Sequence, residues 1–264
     1  VLQAAIVALG ATLSLSQVAH VGGASLPVML GTLAVSLVTA SVLGRLLGVG
    51  DRLRTLVGVG TGICGASAIA AVSGVVAATE AEIAYAISTI FVFNIVAVVT
   101  FPALGHALGL SQHAYGLWAG TAVNDTSSVV AAAFAFGHGA GSYAVLVKLT
   151  RTTMIIPIAA TLAVVRARRG AHTNTRWTAI VPWFLLWFAV ASAIDTAGLV
   201  GPSARHALSH AALVLITVAL AAVGLSTRLG EARRTGHRPL VLGGLVWLSV
   251  AGSSLLLQWA TGVT

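Results

Sequence analysis

Nine stretches of about twenty mostly apolar residues follow one another along this chain, each long enough to cross a bilayer core of about 30 Å. They cover residues 1–19, 26–47, 55–78, 83–109, 113–137, 142–165, 177–197, 205–225 and 239–263. In lipid, backbone N–H and C=O groups find no water, so each run is expected to be helical. A β-barrel would instead show alternating segments of about ten residues, and the sequence has none. Of 264 residues 58% are hydrophobic and 8% charged, against about 25% charged in soluble domains. That excludes an ordinary soluble enzyme and a disordered chain. The formal charge of +8 could suggest nucleic acid, but the basic residues sit in gaps between apolar runs and form no face, so no nucleic-acid partner is expected. A single cysteine, Cys64, excludes an intramolecular disulfide or a multi-cysteine metal site.

Orientation follows from the arginines. Arg45, Arg52 and Arg54 fall in the second connection, Arg166, Arg168, Arg169 and Arg176 in the sixth, and Arg228, Arg233, Arg234 and Arg238 in the eighth. The odd connections hold only Arg205. By the positive-inside rule the even-numbered loops are expected in the cytoplasm. The chain starts inside an apolar run without the charged start of a signal peptide, and upstream spans are expected to be missing from it.

Two runs depart from simple lipid-facing helices. Gly58, Gly60, Gly62 and Gly65 crowd the third, each weakening a helix by about 1 kcal/mol relative to Ala. Close packing of small residues and a helix broken in mid-membrane both account for them. The fifth run, Gly120-Thr-Ala-Val-Asn-Asp-Thr-Ser-Ser, matches the third at a constant offset of 60: Gly60, Thr61 and Ser67 align with Gly120, Thr121 and Ser127. Paired interrupted segments point to a transporter site. A second similarity, between 8–36 and 219–249, would relate segments running in opposite directions, as an inverted repeat requires. The expected fold is an all-α membrane protein of about nine transmembrane helices, one transporter domain over 1–264 with inverted-repeat architecture and one or two broken helices.

Asp125 lies in mid-span, where an ionised carboxylate costs at least about 2.5–3.5 kcal/mol unless paired, protonated or facing water. Lys148 and Arg151 share one face of the next span. A contact of Asp125 with either is expected, as a structural ion pair or as part of a site. One carboxylate against two cations favours an anion, and Arg offers the planar fork suited to oxyanions. Candidate substrate- or ion-binding residues are Thr61, Cys64, Gly65, Ser67, Asn94, Asn124, Asp125, Thr126, Ser127, Lys148 and Arg151. Asn94 could equally serve a helix–helix hydrogen bond, and Cys64 suits a packing role. Asp195 reads as a solvated residue at a span end, Glu80 and Glu82 as an exposed loop. None of the histidines is assigned to catalysis or metal binding, and no cofactor is expected.

The segments Gly60-Thr-Gly-Ile-Cys-Gly-Ala-Ser-Ala, Trp118-Ala-Gly-Thr-Ala-Val-Asn-Asp-Thr-Ser-Ser and Val147-Lys-Leu-Thr-Arg151 with Pro157 resemble the YeiH-type bacterial membrane proteins, a family described as sulfate exporters. The resemblance runs over essentially the whole chain. It implies about two further spans upstream and kinship with cation/proton antiporters and bile-acid-type symporters, hence inverted repeats and broken crossing helices. Where that family often has His before the acidic residue, this chain has Asn124.

The expected function is a secondary-active transporter exporting a small, sulfate-like anion, with H+ or Na+ as candidate coupling ion, the lipid bilayer as surroundings and room for a homo-oligomer. In this scheme Arg151 and Lys148 attract the anion and Asp125 gates it or accepts a proton. The alternative is a cation/proton antiporter using Asn124-Asp125 with Lys148. Enzymatic function is not expected: no His lies in mid-span to serve a nucleophile, Asp125 lacks a second deep carboxylate, and His-Glu-x-x-His is absent.

Overall fold

The computed structural model describes residues 2–168, 183–226 and 237–262, and the regular elements among them are all α-helices. The chain divides into two compact units, one of 1–24 with 182–227 and one of 25–181 with 228–264. The similarity between 8–36 and 219–249, and most of the two longer arginine clusters, involve segments outside the described residues.

The first unit contains α1 (Leu2–Gly10), the start of α2 (Leu15–Leu46), α10 (Trp183–Thr196) and α11 (Pro202–Ser226). Helix α1 packs closely on α10, for a Cβ added at Gly10 would stand 2.7 Å from the Phe188 ring. Asp195 is not solvated as expected. It is buried, and Arg205 donates to its carboxylate at 2.6 Å. The expected connection near 20–25 is also absent: the chain turns at 11–14, and α2 runs unbroken through Gly22, Gly23 and Pro27. Glycine and proline resemble loop signals, yet membrane helices tolerate both.

In the second unit, α5 (Glu80–Ala107), α8 (His138–Thr152) with α9 (Ile155–Arg168), and α12 (His237–Thr261) surround two helical pairs. Four helical stretches among the described residues are long and apolar enough to cross a membrane: Leu15–Leu46, Glu80–Ala107, His138–Arg166 and His237–Thr261. Glu80 and Glu82 form no loop; they open α5, where Thr79 and Glu82 make a reciprocal capping box.

The third and fifth apolar runs are broken, and both fold back. The third forms α3 (Asp51–Gly62) and α4 (Ala66–Ser73). Arg166 donates from Nη2 to the Asp51 carboxylate at 2.8 Å and from Nη1 to the Val76 carbonyl at 3.5 Å. One guanidinium therefore touches both feet of the pair, which a continuous helix would hold about 38 Å apart. The fifth run forms α6 (Gln112–Ala122) and α7 (Thr126–Phe136). Gln112, at its start, accepts the Ala140 N–H at 2.8 Å just beyond its end, and Tyr115 stacks on Phe136 at 3.9 Å. Gly116 and Gly120 let α6 lie against α8: an added Cβ would meet the Ala140 carbonyl at 2.9 Å and Val147 at 2.8 Å. Each run is thus a helical hairpin.

Crossing helix α5 joins the two hairpins, so their feet lie at opposite ends of the unit. The 74–79 connection shares an end with 47–50, and 108–111 shares the other with Gly137. Nine successive crossings would place these connections differently. The arginine pattern did not register the difference, because neither connection contains Lys or Arg.

Candidate functional site

The two breaks are Ile63-Cys64-Gly65 and Val123-Asn124-Asp125, which correspond residue for residue at the offset of 60. They meet. A Cβ on Gly65 would lie 3.3 Å from the Asp125 Cβ, and at φ +69° Gly65 holds a conformation that side chains disfavour. Asn94 carries the second tip: its Oδ1 accepts the N–H groups of Asn124 at 3.1 Å and Asp125 at 3.3 Å. Asn94 sits halfway along α5, whose 28 residues span about 42 Å, so the tips stand near the bilayer midplane.

Lys148 is fully buried between the tips, and its Nζ donates to the Ile63 carbonyl at 2.7 Å and the Val123 carbonyl at 2.9 Å. These oxygens, equivalent under the repeat, close the C-terminal ends of α3 and α6, where each helix presents roughly half a negative charge. One ammonium thus answers two helix ends. The expected contact of Asp125 with Lys148 or Arg151 is not formed as an ion pair: among the described residues, salt bridges join Asp51 to Arg54 and Arg166, and Asp195 to Arg205. Backbone carbonyls freed by the breaks took the lysine instead.

Arg151, one turn further along α8 and also fully buried, donates from Nη1 to the Thr121 carbonyl. Among the described residues its Nε and Nη2, and the Asn124 Oδ1, have no hydrogen-bond partner. An orphaned guanidinium edge at such depth is costly unless something occupies it. Thr121 is in turn held by Ser254 (Oγ1 to Oγ, 2.7 Å), to which Gln258 donates at 3.2 Å. Sequence reasoning did not select Thr121, Ser254 or Gln258 as site residues. Ser and Gln spaced by four on an otherwise apolar helix were the available signal.

Asp125 is half-buried and caps α7, its Oδ2 accepting the Ser127 N–H at 3.0 Å and the Ser127 hydroxyl. At the other tip α4 starts without a side-chain cap. There Cys64 and Ser67 are 2.7 Å apart (Sγ to Oγ), and the buried thiol lies within electrostatic range of Lys148, Arg151 and Asp125. Thr61 is buried in the last turn of α3, Ser67 is exposed and Thr126 half-buried.

The family model described as conserved hypothetical protein 698 matches residues 1–243. A UPF0324 membrane protein of Clostridium tetani is 40% identical over 99% of this chain and 80% of its own length. One from Streptococcus agalactiae is 41% identical over 99% and 81%, and one from Fusobacterium nucleatum 38% over 100% and 82%. The chain belongs to the UPF0324 membrane protein family. No solved structure matches it. In this UPF0324 chain the hairpin tips bring together Cys64, Gly65, Asn94, Asn124, Asp125, Lys148 and Arg151, while Thr61, Ser67, Thr126 and Ser127 occupy the adjoining helical turns. Among the described residues the arrangement leaves the Nε–Nη2 edge of buried Arg151 as free donors, while Asn94 takes the N–H groups of Asn124 and Asp125 and the Asp125 carboxylate is taken up by its own helix.

Proposed function

We propose that this UPF0324 protein is an ion-coupled secondary transporter that exports a small oxyanion through the meeting point of its two hairpins. The observation that carries this reading is Arg151: fully buried, held by one carbonyl, with Nε and Nη2 unpartnered. Intramembrane ionisable groups mark substrate pathways by default, and interrupted helices supply the backbone donors and acceptors that a dehydrated solute needs. The resemblance to YeiH-type sulfate exporters supports the same reading, as does the offset of 60 between the tips. The arginine-rich connections support a cytoplasmic side for the feet of α3 and α4 in a bacterial inner membrane. The role is transport rather than catalysis.

One observation favours a second reading. Asp125 is half-buried and forms no ion pair with Lys148 or Arg151, so its carboxylate could take up Na+ or a proton, as in a cation/proton antiporter. Vesicles containing the full chain separate the two. Flux of labelled sulfate, sulfite and small sulfonates is measured, and at least one of these oxyanions is expected to cross in the wild type. Arg151→Gln should lower that flux about a hundredfold, and Asp125→Asn should abolish uphill accumulation. Unchanged flux in both variants would remove the site from the pathway. Na+/H+ exchange indifferent to anions would establish the second reading.

A further inference from the structure

Each charge at the hairpin tips can be matched against what it faces. The ammonium of Lys148 sits on the carbonyls of Ile63 and Val123, the C-terminal ends of α3 and α6. Each such end carries roughly half a negative charge, so lysine and helix ends cancel. The carboxylate of Asp125 caps α7, and its Cβ lies against Gly65, where α4 begins without a cap of its own. Two helix N-termini of roughly half a positive charge each therefore cancel the aspartate. Arg151 has no such counterpart. Its Nη1 meets the carbonyl of Thr121, in the last turn of the α6 end that Lys148 already answers, and its Nε–Nη2 edge, a pair of parallel donors, is fully buried and finds no partner among the described residues. A single positive charge is left over, and it ends in a two-donor fork.

We infer that the substrate is a monoanion bound through two oxygens to the Nε–Nη2 edge of Arg151, so that a sulfonate, hydrogensulfite or carboxylate head fits and the sulfate dianion does not. The inference rests on the anion-transport reading and narrows it. A monoanion brings the tips to neutrality, the state that crosses a membrane interior at least cost, whereas a dianion would leave one negative charge uncompensated at the midplane. Lys148 is a positioning residue, already committed to both hairpins, and adds nothing to the ligand's charge requirement.

The experiment compares binding of methanesulfonate, a monoanion across the working pH range, with that of sulfate, read as ligand-induced thermal stabilisation of the purified full-length chain and as counterflow in proteoliposomes. Methanesulfonate is expected to bind at least tenfold more tightly than sulfate, and Arg151→Gln to lose both. Asp125→Asn is the sharper variant, because Asn caps a helix as well as Asp does. By removing one negative charge it should shift the ratio of affinities toward sulfate about tenfold. Equal or tighter sulfate binding in the wild type, or an unmoved ratio in Asp125→Asn, would overturn the monoanion inference while leaving an anion transporter. Absence of any anion binding together with Na+/H+ exchange would overturn the anion-transport reading beneath it.

Discussion

The two hairpin tips are built from equivalent residues and finished differently. Both give a carbonyl to Lys148, Ile63 from one and Val123 from the other. Beyond that the α6–α7 tip is pinned: Asn94 takes two of its N–H groups, and Asp125 caps α7. The α3–α4 tip turns on Gly65 at φ +69°, and α4 has no side-chain cap. Lysine thus enforces the symmetry, and the polar side chains break it. The pinned tip carries the charged, specific groups, while the glycine tip owes its shape to backbone geometry and to the neighbour pressed against it.

The largest test of that contrast removes the shared element. Lys148→Met leaves two buried carbonyl ends unanswered and should cost about 3–5 kcal/mol, seen as a fall in melting temperature with both tips losing amide-exchange protection together. Wild-type protection retained at both tips in the variant would mean that lysine does not hold them. Gly65→Ala acts on one tip only. It combines an unfavourable backbone conformation with a 3.3 Å approach to Asp125, for an expected loss of order 1–3 kcal/mol and faster thiol modification at Cys64, the sole cysteine. The smallest effect belongs to the pinned tip: Asp125→Ala should lose about 1 kcal/mol through the missing cap, while Asp125→Asn loses a few tenths at most. Equal losses in those two variants would show that the carboxylate's charge, not its capping geometry, stabilises α7.

Residue chemistry made parts of this legible in advance. Glycines at 58, 60, 62 and 65 and the polar stretch 124–128 singled out the two runs that break, and the offset of 60 paired them down to the residues Lys148 binds. The partner of Lys148 was missed, because a search among side chains does not consider carbonyls that become free only where a helix stops. Asp195 was misread for a related cause: its partner, Arg205, lies beyond the turn at 197–201, and nearness to a span end suggested water.

By itself the sequence determined that the chain is helical, lies in a membrane and carries helix-weakening residues in its third and fifth apolar runs, since apolar length, lipid's lack of hydrogen-bond partners and the helix propensities of Gly, Asn and Asp are local properties. Only the tertiary structure decided that the interrupted runs turn back to their own side, that one lysine joins them and that one edge of Arg151 is left over. A run of apolar residues measures how much chain lipid can hold, not the direction in which it leaves, and that direction is set by contacts such as Arg166 with Asp51 and Gln112 with Ala140 between residues far apart in the chain.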